Sequence, residues 1–314
     1  MDTASPGSVL SSYPEAMAFF EVEGQRIAYT EFGGGPAAVV TASGRRTRAS
    51  RGAAQACRPL ILVHGLLLSQ KMHRPLAKAL AARGNRVITV DLLGHGESDR
   101  PRDMWRYSMG TYAEQLIALM DHLQLEEAVV MGTSLGANTA LELAARAPER
   151  LRGMVIEMPV LDNALPASAV TFTPILLALT FGERAMKLVA RGARAVPRRL
   201  LPYYGNVVLD VIRQEPGPGG ALLQGLFFGR IAPHRSERRT FQMPALVLGH
   251  RRDPVHPFSD AGQLAEELPN ARLIEADSLV ELRLSPERLT EEIAAFLDDV
   301  WRPAKAGRKA KSAR

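Results

Sequence analysis

A single cysteine, Cys57, stands in the 314 residues. No internal disulfide can form, so the fold must hold by its core alone, and this usage fits a reducing compartment. Aromatic residues are scarce at 6%, yet 46% of the chain is apolar. That is enough for a sizeable core, in one large or two small domains. The start, Met1-Asp2-Thr3-Ala4-Ser5-Pro6, lacks the basic region and apolar stretch of a secretory signal, so a cytoplasmic protein is expected. Long apolar runs are also wanting. The most apolar stretch, Phe172 to Phe181, covers about half a bilayer and contains Pro174, which predicts no transmembrane segment. Metal-ligand spacings, a phosphate loop and a dinucleotide fingerprint are all missing, and Gly94-His95-Gly96 is no phosphate cradle. No metal and no cofactor are therefore expected.

Acidic residues are missing from two stretches. Pro36 to Arg58 carries Arg45, Arg46, Arg48, Arg51 and Arg58, and the tail from Arg302 carries Lys305, Arg308, Lys309, Lys311 and Arg314. These account for more than the whole net charge of +6, so the remaining body is mildly acidic. Basicity that resides in such segments does not make the body a nucleic-acid binder. The expected partner is a small-molecule substrate. Residues 1–15 read as a disordered lead-in, 36–58 as a surface insert and 302–314 as a disordered basic tail.

What is present is strand–helix alternation. Ala16 to Val22 and Gln25 to Glu31 read as a hairpin turning at Glu23-Gly24. Leu60-Ile61-Leu62-Val63 is fully apolar, as expected of a parallel strand covered on both faces. A helix over 75–83, a strand over 86–91 and a helix behind Thr111 follow. Thr111 and Glu114 have capping-box spacing. Val129-Val130-Met131, then Asn138 to Ala145, continue the alternation, and Leu151 to Met158 is a further strand. The alternation lapses over 160–240, which reads as an inserted helical lid. It resumes with a strand at 245–249, a helix over 258–268, a strand at 271–275 and a last helix. That helix opens at Ser285-Pro286-Glu287 and buries Leu289, Ile293, Phe296, Leu297 and Val300. The pattern predicts an α/β fold with a mostly parallel central sheet, helices on both faces, a core over 16–159 and 241–301, and a helical lid between them.

Gly132-Thr133-Ser134-Leu135-Gly136 sits at the join of strand and helix. This is the form of a nucleophile elbow, in which a serine hydroxyl is presented on a tight, strained turn. Gly132 and Gly136 leave room where a β-carbon would collide with the neighbouring strand and helix. The Leu135 amide, at a helix N-terminus, is suited to hold a developing oxyanion.

Leu62-Val63-His64-Gly65, Val90-Asp91-Leu92-Leu93-Gly94-His95-Gly96-Glu97-Ser98, the elbow, and Gly249-His250-Arg251-Arg252-Asp253-Pro254-Val255-His256-Pro257 occur in the order seen in α/β-hydrolases. Over roughly 16–301 the chain resembles that superfamily, in its lid-bearing esterase and epoxide-hydrolase branch. The resemblance implies Ser134 as nucleophile, the backbone N–H groups of Leu66 and Leu135 as oxyanion donors, and Asp253 as the acid orienting a histidine. Glu157, at the end of the strand before the lid, is a second possible acid. Serine in place of the aspartate nucleophile disfavours epoxide-hydrolase and dehalogenase chemistry.

One element of the pattern is missing. The family's histidine follows the last strand, and here that position falls on Ser278 or Leu279. A serine hydroxyl is a poor nucleophile without a base. Of the seven histidines, His64 and His95 suit the shaping of loops, and His73 and His122 read as surface or helix-face residues. His234 lies in the lid. His250 and His256 flank Asp253, and His256 is the candidate base. A substrate-facing apolar lining is expected from Leu67, Phe172, Leu176 and Phe227, with Leu177 and Phe228 in the same group. Two functions follow: a serine hydrolase of small to medium apolar acyl substrates, or a hydrolase-fold protein that binds a ligand without efficient turnover.

Overall fold

A computed structural model of the protein describes residues 17–33 and 58–302. The lead-in, most of the 36–58 insert and the tail beyond Arg302 lie outside the described residues. Eight strands form one sheet: β1 (Met17–Val22), β2 (Gln25–Phe32), β3 (Arg58–Val63), β4 (Asn85–Val90), β5 (Ala128–Thr133), β6 (Leu151–Glu157), β7 (Ala245–His250) and β8 (Ala271–Ala276). Their order is β1-β2-β4-β3-β5-β6-β7-β8. The hairpin β1–β2 and the β2–β4 pair are antiparallel, and every later pair is parallel.

Alternation along each strand divides the core in two. Ile61, Val63, Ile88, Val90, Val130, Ile156 and Val247 face one side. Leu60, Leu62, Val87, Val129, Met131, Val155, Leu246 and Leu248 face the other. Helices α2 (Met109–His122) and α3 (Leu135–Arg146) cover the first side, and α1 (Arg74–Ala81) covers the second. Leu60, Ile61, Leu62 and Val63 are completely buried, at about 1.5–3 kcal/mol per side chain. The apolar run thus reads as it does because neither face meets water.

Two local expectations are corrected. Helix α2 begins at Met109, and its cap is Ser108, whose hydroxyl accepts from the Thr111 N–H at 3.0 Å. Thr111 therefore lies inside the first turn. Extended backbone at Ser108 lets its hydroxyl reach the orphan amide three residues on. Helix α3 starts at Leu135, directly after Ser134, rather than at Asn138.

Between β6 and β7 the chain forms α4 (Leu165–Phe181), α5 (Glu183–Ala195), α6 (Tyr203–Arg213) and α7 (Pro216–Phe228). Phe172, Ile175, Leu176 and Leu179 of α4 pack against the first core cluster. The apolar run is longer than its composition suggested: Asp162–Phe181, 20 residues, is by length and composition apolar enough to cross a membrane. The entry to this insert is held by Asp260, a completely buried carboxylate on α8 (Phe258–Glu267). It accepts from the backbone N–H groups of Leu161 at 2.8 Å, Ala164 at 3.0 Å and Asn163 at 3.1 Å. The last helix, α9 (Glu287–Val300), lies on the second side of the sheet and buries Leu289, Ile293, Phe296, Leu297 and Val300, as the spacing predicts.

Candidate active site

Ser134 follows the carboxyl end of β5, which lies between β3 and β6. In open α/β sheets this is where ligands and reacting groups gather. Its backbone takes φ 53° and ψ −108°, a costly conformation for a residue with a side chain. The surroundings impose it. A β-carbon on Gly132 would stand 2.0 Å from the Gly136 backbone, and one on Gly136 2.2 Å from the Val63 carbonyl. Only glycine at both positions lets strand, turn and helix approach so closely. The Ser134 N–H donates to the Glu157 carbonyl at 2.9 Å.

Ser134 Oγ lies 2.9 Å from His256 Nε2, and His256 Nδ1 lies 2.9 Å from Asp253 Oδ2. The other carboxylate oxygen, Oδ1, accepts from the N–H groups of Val255 at 2.8 Å and His256 at 2.9 Å. One turn after β7 therefore supplies acid and imidazole together, and the carboxylate locks that turn by bonding its own backbone. With Asp253 ionised, Nδ1 carries the proton and Nε2 accepts from the serine hydroxyl. Burial pushes the Asp253 carboxyl up, but the hydrogen bonds and charge of His256 outweigh it and hold the carboxyl below its ordinary value. An imidazole so oriented can take a proton from a hydroxyl as that hydroxyl attacks.

Leu135 opens α3, so its N–H is one of the orphan donors at a helix start. The loop after β3 runs alongside: a β-carbon at Gly65 would lie 3.9 Å from the Ser134 β-carbon. Leu66 follows Gly65 in that loop. Leu67, at φ 63°, packs against the core with Phe172 and Leu176. Phe227, Phe228 and Leu177 do not join this packing and are exposed. On α7 the buried face runs through Leu222, Leu223 and Leu226, which turns the two phenylalanines outward.

The remaining histidines are engaged elsewhere. His64 Nε2 accepts from the Leu92 N–H at 3.1 Å, so its Nδ1 donates to the Gly65 carbonyl at 2.9 Å. His95 packs against it at a tilt of 52°, with ring centroids 4.6 Å apart. His73 is no surface residue. It is fully buried against the Val63 carbonyl, and burial pushes its imidazole down to about 3. His122 is exposed, and His234 caps the short turn 235–238. His250 donates to the Ser278 carbonyl at 2.9 Å, while Leu279 is exposed. The loop after β8 thus contributes no base.

Glu157 is occupied too. It is buried, accepts from Thr133 Oγ1 at 2.5 Å and pairs with Arg283 at 2.7 Å. Burial pushes its carboxyl up, but the Arg283 charge and hydrogen bond prevail and hold it below the ordinary value. Arg283 and Asn138 carry no motif and escape sequence reasoning. Asn138 is buried on α3 and ties both ends of the helical insert. Its Nδ2 donates to the carbonyls of Val160 at 2.7 Å and Ile231 at 2.9 Å, and its Oδ1 accepts from the Val160 N–H at 3.0 Å. Its signal in the sequence is an amide side chain between Ala137 and Ala140 near the start of the helix.

Comparison with known proteins agrees with this architecture. The family model for the alpha/beta hydrolase fold matches residues 58–278. The chain is 29% identical over 231 residues to the AB hydrolase superfamily protein YisY of Bacillus subtilis, covering 69% of this chain and 82% of that one. It is 29% identical over 206 residues to a 2-hydroxymuconate semialdehyde hydrolase of Pseudomonas putida, covering 62% and 69%. Among solved structures, an esterase from Thermogutta terrifontis superposes with a TM-score of 0.67 at 21% identity, over 92% of this chain and all of that one. The enol-lactonase of Burkholderia xenovorans superposes with a TM-score of 0.66 at 21% identity, over 89% and 99%. The family model over residues 58–278, which spans β3 to β8 and the turn at Ser134, places this chain in the α/β-hydrolase family.

Proposed function

We propose that the protein is a serine hydrolase that cleaves a small to medium apolar carboxylic ester, or a related acyl substrate, through an acyl-serine intermediate. The carrying observation is the continuous chain from Ser134 through His256 to Asp253, with 2.9 Å at each step. His256 takes the hydroxyl proton as Ser134 Oγ attacks the carbonyl carbon. Asp253 holds the imidazole in the required tautomer and faces the imidazolium that forms. The amides of Leu66 and Leu135 hold the oxyanion. The imidazolium then protonates the leaving group, and a water molecule, deprotonated by His256, releases the acid. The helical segment over 160–240 acts as the lid, and Leu67, Phe172 and Leu176 supply apolar lining.

The reading without turnover rested on a missing base, and His256 within reach of Ser134 weighs against it. The likeness to a 2-hydroxymuconate semialdehyde hydrolase makes 2-hydroxymuconate semialdehyde the natural second substrate to assay. The test is labelling by a fluorophosphonate probe together with hydrolysis of short p-nitrophenyl esters. Both are expected in the native chain and lost in Ser134→Ala. Labelling elsewhere, or ester hydrolysis that persists in Ser134→Ala, sinks the proposal.

A further inference from the structure

The helical insert carries an outer surface for which the chemistry at Ser134 has no use. On α4 the inner positions Phe172, Ile175, Leu176 and Leu179 pack inward. The opposite stripe, Val170, Pro174, Leu177 and Phe181, follows the spacing of one helix face and is exposed. Val170 is 76% accessible and Phe181 83%. A helix covered on one side is normally polar on the other, whereas this one is apolar all round. Because its inner stripe is engaged in packing, α4 is placed to lie on a surface rather than to span one.

Beyond Gly182, α5 presents Arg184, Leu188 and Arg191 along one exposed stripe, with Val189 beside it. Leu188 is 65% accessible. Between residues 182 and 200 there are six basic residues and one acid. Lys187 pairs with Glu183, Arg194 with Glu215 and Arg198 with Asp210. Arg184, Arg191 and Arg199 are exposed and have no carboxylate partner among the described residues.

We propose that the α4–α5 face docks on a lipid bilayer surface bearing anionic headgroups. Its apolar stripes enter the boundary between headgroups and acyl chains, and the three unpaired arginines meet phosphates. A basic amphipathic helix with large apolar residues has the composition of an interfacial element. Charge decides against a second copy of the chain. A two-fold contact on this face would set the basic patch of Arg184 and Arg191 against the same patch of the second copy. Binding to a bilayer does not depend on the catalytic reading, so the test reads binding and not hydrolysis.

The experiment is cosedimentation of the full chain with vesicles of phosphatidylcholine alone or mixed with phosphatidylglycerol, at low and high salt. Binding is expected to the mixed vesicles, weakening with salt. Each arginine near such a surface contributes about fivefold in affinity. The combined Arg184→Ala, Arg191→Ala and Arg199→Ala variant should therefore bind about a hundredfold more weakly. Leu188→Asp and Phe181→Asp should also weaken binding, with melting temperatures unchanged because both side chains are exposed. A full chain with Lys305, Arg308, Lys309, Lys311 and Arg314 all replaced by alanine should still bind. Absence of binding to the mixed vesicles overturns the proposal, as does binding lost with the five tail charges but kept in the triple arginine variant. A concentration-dependent dimer in gel filtration that Leu188→Asp abolishes, without any vesicle binding, would assign the face to a second copy instead.

Discussion

Removal of the imidazole at position 256 is the sharpest test of the site. In His256→Ala, Ser134 Oγ loses its partner at 2.9 Å, and among the described residues no other imidazole hydrogen-bonds that hydroxyl. His64 is committed at both nitrogens, and the Nδ1 proton of His250 is held by the Ser278 carbonyl. Asp253 keeps the two backbone N–H groups that its Oδ1 accepts, so the turn holds and the fold should be little changed. The loss therefore falls on proton transfer. Removing the base of such a triad lowers kcat by about 10,000-fold to a million-fold. At about 1.36 kcal/mol per tenfold, that is ~5–8 kcal/mol of transition-state stabilisation. KM should change little, since the imidazole acts mainly on the transition state. Initial rates on p-nitrophenyl esters, normalised to folded protein concentration, measure the effect. The double variant Ser134→Ala with His256→Ala should be no slower than either single variant, because the groups act as a unit. Leu279→His in the native chain should bring no gain, as His256 already lies within hydrogen-bonding distance of Ser134 Oγ. If His256→Ala costs less than about tenfold while Ser134→Ala abolishes activity, another group is the base and the reasoning fails.

Asp253→Asn should keep the turn but present the wrong tautomer to Ser134, lowering kcat by about 10,000-fold with an unchanged melting temperature. Asn138→Ala removes three hydrogen bonds that tie Val160 and Ile231. It should cost about 1–3 kcal/mol and speed limited proteolysis within 160–240. Arg283→Met leaves Glu157 buried without its cation, a loss of about 3–5 kcal/mol in denaturant titrations. The pH dependence of that pair has a definite sign. The folded Glu157 carboxyl lies below its ordinary value of 4.5, so its contribution is present above that value and lost as pH falls through the lower folded one. Without the cation, burial raises that carboxyl in the folded chain, so the deficit of the variant relative to the native chain should be largest above pH 4.5 and shrink as pH falls below it. Burial holds His73 at about 3 against an ordinary 6.5, so the unfolded chain takes up a proton first. Native stability should then fall as pH drops below 6.5, by up to about 1.4 kcal/mol per pH unit for that one proton, and His73→Phe should flatten the slope.

The local chemistry was legible in residues alone. Apolar runs such as Leu60–Val63 announce doubly covered strands, because a strand buried on both faces has no reason to alternate. Gly132 and Gly136 announce the tight turn at Ser134, because any β-carbon there meets backbone. The spacing of three between Asp253 and His256 is also local, since a carboxylate that bonds its own turn reaches just so far. Contacts between distant segments were decided by the tertiary structure. His256 and Ser134 are 122 residues apart, and only the strand order, with β5, β6 and β7 side by side, brings the two strand ends together. The same geometry gives Glu157 to Arg283 rather than to a histidine. It also buries His73, which in sequence reads as a surface or helix-face residue. The outward face of α4 was illegible for the opposite reason. Composition marks a helix as apolar but cannot say which of its faces the core leaves uncovered.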